Sequence, residues 1–380
     1  MTMRPITRTT LAWGWCVAAT VMLSSVSHAA DSATWIKRIL DIKNEASGSA
    51  EAAVAWKELV GQGPEAIPAL LQALNQANPI AANYIHTIVD AISENARTAK
   101  KDLPEAELMA FLKETKNLPA ARRLAFELIV DRKPDLKETL LAGMLNDRSN
   151  ELRRDAIEQA LRKLEKKPAE ETKADLEKLF EVARDLDQVQ AIAKKLEPMG
   201  VKKNLTEHFN FITSWWLIAP FDNVQGAGFA KPYAPEEKVD LDAKPIGKEG
   251  KPVEWVQKST SDAFGSVDLN KELGKFKGAV AYAFAAVESP TEQPVELRVG
   301  SINAVVIFLN GKQIYAREEY HHGEEMDQYI GRGVLKPGRN EILIKVCQNE
   351  QTQSWAQRWQ FQLRISDETG GKVPFKLLPR

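Results

Sequence analysis

The stretch from Ala304 to Cys347 constrains the fold of this 380-residue chain more than any other part of the sequence. Asn310-Gly311 separates two runs of β-forming residues. A two-residue type I′ turn needs positive φ at both central positions, and Asn and Gly adopt it most easily. Lys336-Pro337-Gly338 marks a second turn, because Pro presets φ and Gly supplies a left-handed position. The sequence therefore predicts antiparallel strands joined by tight turns.

The runs around these turns indicate how the strands are buried. Residues 304–309 are apolar at every position, which predicts a central strand covered on both faces. From 358 to 365, apolar and polar residues alternate, which predicts a strand with one buried face and one face in water. Further strands are expected at 253–257, 279–287 and 295–299.

These motifs resemble the galactose-binding-like β-sandwich, as found in sugar-binding domains of family 2 glycoside hydrolases and in related carbohydrate-binding modules. The matching residues are Phe308-Leu-Asn-Gly-Lys312 and the run from Leu335 to Val346, and the resemblance covers about 210–368. It implies an antiparallel jelly-roll β-sandwich. Members of this fold bind sugars, lipids or proteins, and some only brace an enzyme, so the resemblance does not identify the ligand.

Residues 32–200 show helical periodicity throughout. Apolar residues recur at three- and four-residue spacing, for example Tyr84, Ile85, Ile88, Val89 and Ile92. Helix starts are marked by prolines, which a first helical turn tolerates. These prolines are Pro64, Pro79, Pro104, Pro119 and Pro134. Corresponding starts recur roughly every 30–40 residues, within the range of helical solenoids.

The helical region resembles HEAT repeats, an armadillo-like helical arrangement, over about 50–165. Gly63 to Leu74 has the form of a first repeat helix, and Ser149 to Ile157 that of a second helix. The resemblance implies an α-solenoid whose surface binds a protein partner. Charged helices near 168–184 and 187–197 are expected to cap the array, since terminal repeats need a polar face.

The sequence predicts a signal peptide at residues 1–30, a HEAT-like helical domain at 31–203 and a galactose-binding-like sandwich at 204–380. Arg4 and Arg8 precede an apolar core, and small residues at 27–30 offer a cleavage site. An uncleaved membrane anchor is the alternative. We expect a soluble periplasmic or secreted protein. Removal of the leader leaves Cys347 as the only cysteine, so no internal disulfide can form.

Charge excludes one class of partner. The chain has 51 Lys and Arg residues against 52 Asp and Glu residues, without a basic cluster in either half. Nucleic-acid binding needs clustered positive charge to displace counterions from phosphates. We therefore expect no nucleic-acid partner.

One polar loop, from Tyr320 to Asp327, invites a chemical interpretation. His321, His322, Glu324 and Asp327 are residue types that bind zinc or manganese, but the spacings of structural metal sites are absent. We favour a solvated loop at the end of the sandwich, and a third interpretation is a sugar or partner contact, because loops on such sandwiches carry their binding surfaces. Glu324 and Asp327 lie too close along one loop for a typical glycosidase pair. We find no other catalytic pattern and predict a non-enzymatic protein without a cofactor, although a calcium ion held by backbone carbonyls would leave little trace.

Trp355 is the best candidate for an exposed ring, because it lies in the polar run from Gln351 to Arg358. Sugar-binding proteins stack pyranose faces on such rings and bind hydroxyls through nearby polar groups. The alternative is a ring folded over the hydrophobic edge of the sandwich. The candidate ligand-binding residues are Tyr320, His321, His322, Glu324, Asp327, Trp355 and Arg358.

Three functional hypotheses follow. The first is a non-catalytic adaptor whose helical repeats bind a protein and whose sandwich binds glycan or the same partner. The second is a structural scaffold without a small ligand. The third, an accessory or catalytic protein of glycan degradation, ranks last because a catalytic pattern is missing.

Overall fold

The computed structural model describes residues 32–42, 48–321 and 323–379. The expected signal peptide at 1–30 and His322 lie outside these residues. The chain forms two compact units that divide between Lys166 and Lys167. Helices followed by antiparallel sheets confirm the mixed α and β class. The expected domain boundary at 203/204 falls inside the second unit.

The first unit is helical over its described residues. Residues 32–40 form α1. The helices that follow are α2 (Ser49–Gln62), α3 (Ile67–Leu74), α4 (Pro79–Thr98), α5 (Glu105–Lys113), α6 (Pro119–Arg132), α7 (Leu136–Ala142) and α8 (Asn150–Leu164). Near neighbours in sequence pack together, α2 on α4, α5 on α6 and α7 on α8. No helix in the described part of the chain is both long and apolar enough to span a membrane.

Local sequence explains where several helices begin. Pro79 is the first residue of α4, and the Asn78 side chain accepts hydrogen bonds from the backbone N–H groups of Ile80 and Ala81. Pro119 opens α6 in the same way, and Ser149 caps α8 by accepting from the Leu152 N–H. The prolines thus mark helix starts as the sequence predicts.

A buried ion pair joins α6 to the turn before α8. The Arg122 guanidinium donates to both carboxylate oxygens of Asp147, at 2.6 and 2.7 Å, and its Nε donates to the Leu112 carbonyl. The Arg122 and Asp147 side chains are only 3% and 7% exposed. The backbone N–H of Ser149 also donates to Asp147. Arg153, which is 1% exposed, donates to the Asp147 carbonyl, so a second buried guanidinium contacts the same residue.

The second unit begins with α9 (Lys173–Val182), α10 (Leu186–Leu196) and α11 (Leu205–Phe209). The Phe180 ring of α9 lies 4.3 Å from the His208 ring of α11. Arg184, between α9 and α10, donates to the Thr369 hydroxyl near the end of the chain. The two charged helices expected to cap the first unit are therefore part of the second.

Two antiparallel sheets form most of the rest of the second unit, with the short helices α12 (Ala227–Ala230), α13 (Ala234–Glu237) and α14 (Leu269–Glu272) between strands. The strands are β1 (Ser214–Asp222), β2 (Val256–Ser259), β3 (Val267–Asp268), β4 (Ala279–Ser289), β5 (Gln293–Gly300), β6 (Ala304–Leu309), β7 (Lys312–Arg317), β8 (Tyr329–Leu335), β9 (Gly338–Gln348), β10 (Gln360–Ser366) and β11 (Lys376–Leu377). The larger sheet has the order β2-β1-β4-β9-β6-β7, with β11 also pairing β4, and the smaller sheet has the order β3-β10-β5-β8. Side chains of both sheets share one core, so the sheets pack face to face.

The central hairpin is confirmed. Leu309 pairs with Lys312, and φ is +52° at Asn310 and +76° at Gly311, as the type I′ turn requires. The second turn links β8 to β9 through Gly338 at φ +83°, and it passes from the smaller sheet to the larger.

The prediction of a wet face on β10 is wrong. Gln362 and Arg364, expected in water, are 8% and 2% exposed. Arg364 is covered because Asp327, from the loop before β8, forms an ion pair with its guanidinium. The outer face of the larger sheet is also covered. A segment that we call the strap, residues 223–255, packs Phe229, Tyr233 and Trp255 against β4, β6 and β9.

The two sheets approach closely at β8, where Gly331 lies against β7. A Cβ atom at Gly331 would lie 3.0 Å from Cγ1 of Ile314 and 3.3 Å from Cβ of Tyr315. We expect Gly331→Ala to lower the free energy of unfolding by about 1–3 kcal/mol, as overpacking does. Gly323→Ala is the matched control, because its Cβ would meet no atom within 4 Å. Equal denaturation midpoints for the two variants would contradict this expectation.

Candidate functional site

Most of the sequence-predicted site residues lie at one end of the paired sheets. Three segments converge there: the start of the strap at Asn223, residues 318–321 with Gly323 and Glu324, and residues 349–358. Asn223 donates to both the Tyr320 hydroxyl and the Gln348 carbonyl, which ties the segments together. We call this surface the loop end.

Trp355 is the exposed ring of the loop end. Its side chain is 56% exposed in a short helical turn, Ser354–Ala356. The turn is fixed from below by Gln348, which is fully buried and donates to the carbonyls of Ala356 and Arg358 at 3.3 and 3.2 Å. Asn303 in turn donates to Gln348 at 3.1 Å. These hydrogen bonds fix the turn that carries the exposed indole.

His321 packs edge-to-face with Trp355, with ring centroids 5.3 Å apart. Its Nε2 lies 2.8 Å from Oδ1 of Asn349, and that oxygen also accepts from the Gln351 backbone N–H. Because Oδ1 is an acceptor, Nε2 donates this hydrogen bond. Nδ1 is buried, and no described atom forms a hydrogen bond with it. A buried polar atom left without a partner costs about 1–3 kcal/mol.

Tyr320 is half-buried beside the strap. Burial raises the pKa of its hydroxyl to about 12, although the hydrogen bond from Asn223 favours the charged form. The hydroxyl is therefore protonated at neutral pH. It accepts from Asn223 and keeps its own hydrogen for donation.

Glu324 and Arg358 form a second part of the loop end. Glu324 accepts a hydrogen bond from Gln360, and its carboxylate lies 3.6 Å from the Arg358 guanidinium. Burial raises the pKa of Glu324, and the Gln360 and Arg358 contacts only partly offset this effect. Arg358 itself is 57% exposed. The structure thus joins these two candidates through a weak ion pair.

Asp327 lies apart from this group, although the sequence placed it in the same site. Its carboxylate accepts from Nε and Nη2 of Arg364 and, at 2.8 Å, from Nη1 of Arg298. Burial alone would raise its pKa, but the two arginines outweigh burial and lower it. With both oxygens occupied by guanidinium donors, Asp327 serves to hold the loop on the smaller sheet.

A metal site would need a cluster of ligand side chains. Within residues 32–42, 48–321 and 323–379, no group of three or more His, Cys, Asp or Glu side chains is placed to hold a metal ion. His322, the second histidine of the motif, is outside the described residues.

Sequence reasoning missed the amides that organise the loop end. Asn223 directly follows β1, Gln348 ends β9, and Asn349 is next along the chain. Asn303 likewise precedes β6. The signal was their position, since polar amides directly flanking apolar strands often satisfy the backbone of a neighbouring loop.

Comparison with known proteins gives only remote similarity. No protein-family model matches the chain, and no curated protein matches it. An anti-sigma factor domain-containing protein aligns at 10% identity and TM-score 0.26, over 44% of this chain and 46% of that chain. The β-glucosidase of Kluyveromyces marxianus aligns at 12% identity and TM-score 0.25, over 40% of this chain and 16% of that chain. The GH31 α-xylosidase of Xanthomonas citri aligns at 10% identity and TM-score 0.22, over 41% of this chain and 18% of that chain.

The chain thus spans less than half the length of each of these neighbours. At such TM-scores the alignments carry no argument about what this chain does.

Proposed function

We propose that this chain is an exported, non-catalytic adaptor that binds carbohydrate at the loop end and a protein partner through its helices. The observation that carries the carbohydrate part is the exposed Trp355 ring beside His321. A flat apolar surface next to unused hydrogen-bonding groups suits a sugar, which has an apolar ring face and hydroxyls at its rim. Tyr320 supplies a donor for such hydroxyls, and the exposed Arg358 guanidinium supplies further donors.

The helical part of the proposal is a HEAT-like solenoid formed by α2 to α8. The pairing of sequence-neighbouring helices supports it. So does the bidentate Arg122–Asp147 pair, which links one helix pair to the next through a buried polar contact. For the sheets we propose a jelly-roll sandwich. The basic and apolar leader at 1–30 supports export to the periplasm or beyond.

Binding of carbohydrate is tested on the protein from residue 31 to 380 with a broad glycan array, with and without calcium. We expect retention of at least one neutral glycan. Trp355→Ala should then lower the affinity roughly thirtyfold, because loss of an aromatic hot spot costs about 2 kcal/mol. The melting temperature should stay unchanged, since the ring is mostly in water.

Val334→Ala is the matched control, because Val334 on β8 is 46% exposed and lies outside both the loop end and the strap. Unchanged affinity in Trp355→Ala would remove that ring from the binding site. An array without any bound glycan would favour the purely structural scaffold, and the search would move to protein partners. Release of reducing ends by the wild type, abolished in Glu324→Gln, would favour the glycan-degrading alternative.

A further inference from the structure

The strap lies over two strands whose side chains form an unusual polar pair for a sheet face. Tyr282 on β4 and Lys345 on β9 are direct cross-strand partners. Both point to the outer face of the larger sheet, where the strap covers them, and Lys345 is 1% exposed. A buried lysine is rare because burial disfavours its charge, so its contacts must compensate for lost water.

All three N–H donors of Lys345 are used by the strap. Nζ donates to the carbonyls of Phe229 and Lys231, at 2.9 and 2.7 Å, and to Oε1 of Glu236 at 2.8 Å. The Tyr282 hydroxyl donates to the same Glu236 oxygen. One strap carboxylate is thus bound by side chains from two neighbouring strands. Glu236 therefore fastens the strap to the sheet by its charge.

The same strap begins at the loop end. Asn223 is fully buried, and its Nδ2 donates to the Tyr320 hydroxyl and to the Gln348 carbonyl, both at 3.1 Å. The Gln225 N–H also donates to the Glu350 carboxylate. Any displacement of the strap would therefore act on the segment that carries Tyr320 and His321.

We propose that the strap is a releasable cover, fastened by Glu236 on Lys345, and that its fastening holds Tyr320 in position through Asn223. Release of Glu236 uncovers the outer face of the larger sheet and loosens residues 318–321. The loop end and the outer face of the sheet are then coupled through one segment. A partner that bound the strap would alter the loop end without contacting it.

Hydrogen exchange followed by mass spectrometry tests this device on the protein from residue 31 to 380. In Glu236→Gln, we expect amides of 227–239 to exchange at least tenfold faster than in the wild type. Exchange at the amides of 318–321 should also become faster, while the exchange rates of amides in β5 and β10 of the smaller sheet should not change. Glu237→Gln is the matched control, because Glu237 is the exposed neighbour of Glu236 on the same short helix, Ala234–Glu237.

Two outcomes would overturn the proposal. Unchanged exchange at 227–239 would show that Glu236 does not fasten the strap. Faster exchange there without acceleration at 318–321 would show that the loop end is independent of the strap. Asn223→Ser provides a second variant that keeps the Glu236–Lys345 contact. Amides of 318–321 should exchange faster in this variant while amides of 227–239 do not, and the absence of that effect would also overturn the coupling.

Discussion

An Asp327→Asn variant is expected to lose about 3–5 kcal/mol of its free energy of unfolding at neutral pH, as when one partner of a buried ion pair is removed. Arg364 is 2% exposed and its guanidinium contacts both Asp327 oxygens, so loss of the carboxylate charge leaves it poorly compensated. Asn is the right replacement because Asp327 has φ +62°, which Asn tolerates. The variant therefore reports on charge rather than on backbone strain.

The pH dependence of this loss has a definite sign. Because the pKa of Asp327 is lowered in the folded protein, its charge stabilises the fold above the ordinary carboxyl pKa of about 3.9. That contribution disappears as the pH falls through the lower folded-state pKa. The difference between wild type and variant, measured by urea denaturation, should shrink below about pH 4.

Glu325→Gln is the matched control for Asp327, since Glu325 is exposed and two residues away. Its effect should stay within about 0.5 kcal/mol. A loss below 1 kcal/mol for Asp327→Asn, or an equal loss in both variants, would mean that the Asp327–Arg364 pair does not hold the loop.

The two sheets and their loops show what the sequence could and could not predict. The hairpin at Asn310-Gly311 depends on two adjacent residues, and the structure confirms it. The exposure of Trp355 was likewise readable from the polar run around it. The covered face of β10 could not be predicted from the sequence, because Arg364 is buried by the carboxylate of Asp327, which lies 37 residues earlier in the chain.

Lys345 shows the same limit on the larger sheet. An alternating lysine in a strand predicts a solvated face. Here that face is covered by the strap, whose carbonyls and Glu236 satisfy the ammonium group. The amides that order the loop end were missed for a related reason, because Asn223, Gln348 and Asn349 acquire partners only when distant loops converge. Short-range patterns predict turns and strands, whereas buried polar contacts depend on tertiary structure.

In the helical unit, Arg122→Met is expected to lower the free energy of unfolding by about 3–5 kcal/mol, because it leaves the Asp147 carboxylate buried without its partner. Met retains much of the length and apolar volume of the side chain, so packing changes little. Hydrogen exchange of peptides from α6 and α8 measures the effect within this unit alone. Arg162→Met is the matched control, since Arg162 is 73% exposed and its helical pair with Glu158 contributes about 0.3–0.5 kcal/mol.

Lowering the pH should remove much of the difference in free energy of unfolding between the wild type and Arg122→Met. In the wild type, burial alone would raise the pKa of Asp147, but the bonds from Arg122 and the Ser149 N–H lower it. Asp147 therefore stabilises the wild type above about pH 3.9, and this contribution is lost as the pH falls through its folded-state pKa. Loss of Arg122 removes the strongest of the interactions that lower the pKa of Asp147, so Asp147 is expected to take up a proton more readily. The gap between wild type and variant should thus narrow on acidification. A gap independent of pH would assign the loss to packing and to the Leu112 carbonyl rather than to the ion pair.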